Sequence, residues 1–260
     1  MQLSPAPIAR YAPHRILLLV IAGAIILAMA LTLRWEWLPS YSDKILQGLW
    51  QTSWLLGLSL ILGFSLALPL ALLQLLAPKP IALLVSGWCT LIRGTPLLLQ
   101  LWLIYYGLGS IFPTIPEIRQ SELWPILRQA WPYALFTLTI SFAAYEAEVM
   151  RGAFAAVPKG ELEAGRAIGM RPLQVFRRIW LPRAINRALP TLGGEVILQL
   201  KATPLVATIT MIDLFAVFTK VRQDTFITYE PLLLLALIYM LMASVIALVF
   251  KWLEARAPSQ

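Results

Sequence analysis

The 260-residue sequence predicts an all-α integral membrane protein with about six transmembrane helices. Two observations carry that prediction. First, 59% of the residues are hydrophobic and only 13% charged, an apolar excess that a single water-soluble core of this length cannot hide. Second, the apolar residues fall into runs of bilayer-spanning length, separated by loops rich in proline, glycine and basic residues. Trp35, Trp37, Trp50, Trp131, Tyr133, Tyr229 and Trp252 flank these runs, as expected of an interfacial aromatic belt.

Ile16 to Leu33 is the first candidate span, with Arg10 and Arg15 before it and Arg34 after it. The rival reading is a cleaved signal peptide. The run is long for a signal core, and RWEWLPSYSDK after it contains no clear small-x-small cleavage site. The second span lies within Ile45 to Ala77 and is closed by Pro78-Lys79-Pro80, because proline lacks an amide donor and disfavours helix in the residue before it. The third covers Leu83 to Gly109 and is interrupted at Arg93-Gly94-Thr95-Pro96. It reads either as one kinked helix or as a short interfacial helix leading into a span, with Thr95 as N-cap and Pro96 as first helical residue. A Pro-rich loop from Phe112 to Pro132 carries a surface helix in SELWPILRQ. The fourth span is Tyr133 to Met150, the fifth Leu189 to Phe218, broken by glycines and prolines, and the sixth Pro231 to Trp252.

Lys and Arg concentrate in cytoplasmic loops. With the N-terminus inside, the cytoplasmic side holds Arg10, Arg15, Lys79, Arg93, Arg151, Lys159, Arg166, Arg171, Arg177, Arg178, Arg183, Arg187, Lys251 and Arg256. Only Arg34, Lys44, Arg119, Arg128, Lys220 and Arg222 fall outside. The bias puts both termini and the long loop at 151–187 in the cytoplasm. The expected organisation is residues 1–44 as a cytoplasmic start plus an added helix, 45–255 as the main transmembrane domain, and 256–260 as a tail.

Several function classes are excluded. Cys89 and His14 are each the single residue of their kind, which leaves no disulfide, no metal-ligand cluster and no His-based triad. The net charge of +8 resides in loops between apolar runs, so it does not describe a nucleic-acid surface. No phosphate-binding Gly-rich loop ending in Gly-Lys-Ser or Gly-Lys-Thr occurs, so the chain is not expected to hydrolyse ATP or to act as an enzyme. A self-contained secondary transporter or channel is the alternative, but internal repeats of the kind such proteins carry are not evident.

The loop RGAFAAVPKGELEAGRAIGMRPLQVFRRIWLPRAI, from Arg151 to Ile185, is the most informative stretch. Pro158 and Gly160 open a short helix whose first turn holds Glu161 and Glu163, where carboxylates complement the positive helix end. Gly169 closes it. Pro172 starts a second helix with Leu173, Phe176, Ile179 and Trp180 on one face, and Leu181-Pro182 is expected to end it. Ala164, Gly165 and Ala167 allow a partner to approach closely. The plainer reading of this elbow is an amphipathic surface helix resting on anionic lipid.

The segment resembles the cytoplasmic signature of permeases of ATP-binding-cassette (ABC) importers, Glu-Ala-Ala, three residues, Gly, nine residues, Ile-x-Leu-Pro. Glu163, Ala164, Gly169, Ile179, Leu181 and Pro182 match, and Gly165 replaces the third consensus residue, a change expected to loosen the first helix. The resemblance runs from Leu49 to Leu253. IRGTPLLLQLWLIYYGLG, AYEAEVMRGAFAAVPKGE and GEVILQLKATPL are similar to motifs of the polar-amino-acid branch, nearest to its histidine, lysine, arginine, ornithine or opine permeases. The resemblance implies a type I importer core in the bacterial inner membrane with an added N-terminal helix. It also implies a second permease subunit, a cytoplasmic ATPase dimer that binds ATP and Mg, and a periplasmic amino-acid-binding protein. Gly160, Glu161, Glu163, Ala164, Gly165, Ala167, Gly169 and Pro172 would then couple the permease to the ATPase.

Ionisable residues at membrane depth are candidates for function. Glu146 and Glu148 point to nearly opposite helix faces, and Glu148 can pair with Arg151 three residues on. Glu195 and Lys201 lie in the broken fifth span, about 120° apart on a helix, so they are not expected to pair. Glu148, Glu195 and Lys201 are the candidate substrate-pathway residues. Against that stand an ion pair for Glu148, a buried contact to a second permease for Glu195, and snorkelling for Lys201. Asp213 is expected to be solvated near the outer end of span five.

Overall fold

The computed structural model describes residues 33–256 and, before them, positions 17, 20, 21 and 23. The expected first span, its signal-peptide alternative and the C-terminal tail after Arg256 lie outside the described residues. Every regular element among the described residues is helical. Without water in the bilayer core, backbone amides and carbonyls must pair within their own segment.

Helix α1, Leu38–Leu76, has 39 residues, about 58 Å at 1.5 Å per residue, more than the hydrocarbon core requires. It begins before the boundary expected at residue 44, because Trp37 is a core residue rather than part of an aromatic belt: it is 5% exposed and meets Phe218 edge-on with centroids 6.2 Å apart. Tyr133, likewise expected in the belt, is buried and donates its hydroxyl to the Leu127 carbonyl at 2.6 Å. Pro78 does end α1, with the chain turning extended at Ala77, and α2 follows as Lys79–Gly94.

The interruption at Arg93–Pro96 separates two helices. Helix α3, Leu97–Trp102, continues through a π segment, Leu103–Leu108, one α turn and a short 3₁₀ turn. Thr95 does not cap α3 as expected. Its hydroxyl donates back to the carbonyls of Leu91 and Ile92 at 3.1 and 3.2 Å, closing α2, and Pro96 takes the N-cap position. The loop from Phe112 to Pro132 contains the one-turn helices Pro116–Arg119 and Trp124–Leu127.

Helix α4, Trp131–Ala155, is the central element and packs along α1, α2 and the later α7. Helix α5, Lys159–Ala167, and helix α6, Pro172–Val175, form the elbow. A π segment, Phe176–Trp180, then leads directly into α7, Leu181–Ala202. Leu181-Pro182 therefore does not end the second elbow helix. Pro182 lacks an amide donor, and the wider π turn ahead of it accommodates the ring so that the helix runs on.

Gly193 and Gly194 do not break the fifth span either. A Cβ at Gly193 would sit 3.0 Å from the Phe250 side chain, so this glycine lets the last helix approach α7. The break comes later, where a 3₁₀ segment, Thr203–Ile209, runs to Thr210 in the left-handed region at φ 68°. Asp213 is fully buried rather than solvated. Its Oδ1 accepts from the Ala216 amide at 2.9 Å, capping α8, Leu214–Thr225. Helix α9, Tyr229–Arg256, completes the fold.

By length and apolarity alone, α1, Leu97–Thr114 and α9 can span a bilayer, and the Pro172–Ile209 run plus α8, bent by 55°, makes a fourth. Helix α4 is also long enough, but it carries Thr137, Thr139, Ser141 and Glu146 into the protein interior. Helices shield it from lipid, so its sequence need not be uniformly apolar.

Gly48 sits where α1 crosses α8: a Cβ there would lie 3.0 Å from the Leu214 Cα and the Val217 side chain, while Gly57 faces open space. Gly48→Val is expected to destabilise the detergent-solubilised protein by about 1–3 kcal/mol through overpacking. Gly57→Val should melt close to wild type. Thermal melts of the two variants compare them directly, and equal melting temperatures would contradict the close crossing.

Candidate functional site

The elbow is shaped by local backbone chemistry. Pro158 precedes α5 as its N-cap. At the other end the Gly169 amide donates to the Arg166 carbonyl at 2.9 Å and the Met170 amide to the Gly165 carbonyl at 3.1 Å. Together these bonds form a Schellman motif. It requires the left-handed conformation that Gly169 adopts at φ 82°. The Arg171 amide then donates to Gln174 Oε1 at 2.8 Å, opening α6 behind Pro172.

Aromatic packing holds the elbow to the membrane helices. Trp180 donates its indole N–H to the Phe154 carbonyl at 3.0 Å, and Phe154 lies against both Phe176 and Trp180. Glu161 forms an ion pair with Arg183 at 3.0 Å, linking α5 to α7.

Of the sequence-predicted coupling residues, Gly160, Glu163, Ala164, Ala167, Gly169 and Pro172 are exposed. Gly165 is not available to a partner. It is buried, and a Cβ there would stand 2.6 Å from Ile179 Cδ1. The departure from alanine thus lets α5 close onto the π segment instead of loosening the elbow. Leu173 also leaves the face expected for it: it is 65% exposed while Phe176, Ile179 and Trp180 pack inward. The π segment changes the number of residues per turn, so a 3.6-residue spacing no longer predicts one face. Ile168, at 75% exposed, was missed from sequence. It precedes the Schellman glycine, a position at which a hydrophobic side chain without an internal partner is the available signal.

At membrane depth the candidates separate. Glu148 accepts from Arg151 Nη2 at 2.8 Å and Nε at 3.1 Å, with Arg93 Nη1 3.7 Å away. The expected ion pair is present, and Arg93, which also lies over the Tyr145 ring, joins it. Glu195 lines a different space, a cavity of about 210 Å³ between the α2–α3 break, α4 and α7. Thr95, Leu97, Ser141, Phe142, Tyr145, Leu198, Gln199 and Ala202 complete its wall. Gln199 is anchored by donating to the Leu138 carbonyl at 3.1 Å and to Ser59 Oγ at 3.4 Å. Lys201 is exposed and outside this wall, as its angular separation from Glu195 requires. Glu146 is fully buried, and neither of its carboxyl oxygens has a hydrogen-bond partner among the described residues.

Ser141, Tyr145 and Gln199 were not singled out from sequence, because polar residues inside a span carry no mark of which face they occupy. Among the described residues no three His, Cys, Asp or Glu side chains come together as a metal site.

Residues 59–257 match the family described as "Binding-protein-dependent transport system inner membrane component". The chain is 38% identical over 196 residues to the octopine transport system permease protein OccM of Rhizobium radiobacter, covering 75% of this chain and 78% of that one. It is 35% identical over 219 residues to the arginine ABC transporter permease protein ArtM of Haemophilus influenzae, covering 83% and 93%. Among solved structures it superposes on a chain of an amino acid ABC transporter crystallised with histidines, with a TM-score of 0.73, 32% identity, and coverage of 87% of this chain and 100% of the other. The match spans both the elbow and the Glu195 cavity, and the chain therefore belongs to the family of inner membrane permease components of binding-protein-dependent transport systems.

Proposed function

We propose that this chain is the permease subunit of an ATP-driven importer that carries cationic amino acids or opines into the bacterial cell. The observation that carries the reading is the elbow: a rigid, glycine-closed knob that presents Ala164, Ala167, Ile168 and Leu173 outward while its other face is packed and ion-paired to α7. An apolar patch of this kind on a rigid support suits insertion into a groove of a partner protein. A lipid-anchoring helix would need no such closure. The partner is a cytoplasmic ATPase dimer, which supplies ATP and Mg, and ATP-driven closure of that dimer moves the elbow.

A second permease, identical or paralogous, completes the translocation path, and a periplasmic binding protein delivers the solute. Both termini and the elbow lie in the cytoplasm, where the loop basic residues concentrate. The substrate class is supported by the relatives, which include octopine, nopaline, arginine and histidine/lysine/arginine/ornithine permeases. The cavity supplies a physical reason. Glu195 is outside every ion pair among the described residues, and a carboxylate in a partly dehydrated space attracts an ammonium or guanidinium more strongly than in bulk water. Glu148, already paired with Arg151 and Arg93, is a structural group on this reading, and Lys201 has no part in the cavity.

Three outcomes are expected. In intact cells, a cysteine placed by Lys159→Cys in a Cys89→Ser background should resist impermeant maleimide; ready labelling would invert the topology. Ile168→Glu should leave insertion intact and lower transport and substrate-stimulated ATPase activity by about tenfold, the scale of losing a central apolar anchor. Wild-type coupling in that variant would remove the elbow from the interface. Glu195→Gln should reduce proteoliposome uptake of arginine more than uptake of a neutral amino acid delivered by the same binding protein, and equal losses would assign Glu195 a structural role.

A further inference from the structure

Glu146 is the one acidic side chain of α4 that neither the fold nor the coupling elbow uses. It is 0% exposed, and both carboxyl oxygens lack hydrogen-bond partners among the described residues. The nearby cations do not serve it: Arg93 and Arg151 both close on Glu148, which leaves the helix in nearly the opposite direction. A buried polar group without a partner is costly, and an acidic one especially so. Such a group in a packed interior is explained if its partner arrives only during function.

Its position indicates that partner. Glu146 follows Tyr145 and lies one helical turn after Phe142, and both of these line the Glu195 cavity. Glu195 faces the space from α7, and Glu146, fully buried, lies behind the part of the wall that α4 supplies through Phe142 and Tyr145. One cation brought between two carboxyl groups so placed can pair with both. A guanidinium has five N–H donors in a planar fork and can serve two carboxyl groups at once, and an ammonium has three. A neutral amide or urea can donate hydrogen bonds to them but cannot supply the compensating charge.

We propose that Glu146 is a second specificity-determining residue of the substrate site, forming with Glu195 a carboxyl pair that receives the cationic side-chain group of the transported solute. This rests on the reading that the Glu195 cavity takes a cationic solute and adds the residue that discriminates charge.

The test uses the complete importer complex purified with its partner subunits, and measures binding of radiolabelled arginine and of citrulline, in which a neutral urea replaces the guanidinium. Wild type is expected to prefer arginine. Glu146→Gln, an uncharged isostere, should cut that preference by about tenfold, and Glu146→Asp should retain part of it. A wild-type complex with no preference for arginine would overturn the cationic reading of the cavity and this proposal with it. A wild type that prefers arginine, with the ratio unchanged in Glu146→Gln, would overturn this proposal alone. Failure of both variants to assemble, seen by size-exclusion chromatography, would make the carboxyl a structural group and likewise overturn it.

Discussion

The close approach of α1 and α4 is the constraint on which the rest of the structure depends. Lipid offers no hydrophobic drive for one helix to leave it for another, so helices in a bilayer associate through tight van der Waals packing and interhelical hydrogen bonds. Helix α1 meets that requirement with a stripe of small residues one turn apart, Ser59, Gly63, Ala67 and Ala71, all buried. Helix α4 offers Ala143, Ala144 and Ala147 and places the Phe142 ring where a Cβ at Gly63 would come within 2.5 Å of it. Once these backbones are close, α4 has little lipid contact and can carry polar groups. The Gln199 amide bonding to Ser59 and to the Leu138 carbonyl, across three helices, is a direct consequence.

How much was legible in the sequence follows from the range over which each signal acts. Apolar run length and the Pro78 stop are local, and the structure ends α1 at that stop and places α9 over the last apolar run, whereas α1 starts earlier and the third span starts later, at Leu97, than the runs indicated. Gly169 was legible for the same reason: a left-handed helix end is decided by the residue itself. The failures share a different origin. Pro182, Gly193 and Gly194 read as breakers by propensity, but a π segment absorbs the proline, and Gly193 answers to the Phe250 side chain of α9 rather than to its own backbone. Asp213 looked solvated because its role as a buried cap depends on α8 folding back onto α1. Thr95 had carbonyl acceptors behind it that the helix-start pattern does not represent.

The candidate site divides along the same line. Glu195 stood out as an acid in an apolar span, and Glu148 with Arg151 by their three-residue spacing. The wall around Glu195 comes from three distant segments, and no periodicity joins Thr95, Ser141 and Gln199. Gly165 shows how a motif match can identify a place and still mislead about a role: its position in the signature pointed to the partner, yet its missing side chain serves Ile179 of the same chain.

The continuity of Pro172–Ile209 gives the elbow and the cavity a mechanical relation. Had Pro182 ended a helix, a displacement of the elbow would be dissipated in a loop. Instead, one helical run extends from Pro172 through the π segment to Glu195 and Gln199. The Glu161–Arg183 pair fastens α5 to the base of that run, and Phe154 fastens it to α4. Regular helix transmits a rigid-body tilt, whereas closely packed elements yield in discrete steps at their weak points. Such points on this run include the π segment beside the elbow, Pro190 inside α7 and the left-handed Thr210 beyond the cavity. A tilt of α7 between them would move the Glu195 wall against α4, which α1 packs tightly. The carboxylate would thus be carried on the moving side of the cavity, with Phe142, Tyr145 and the buried Glu146 on the fixed side.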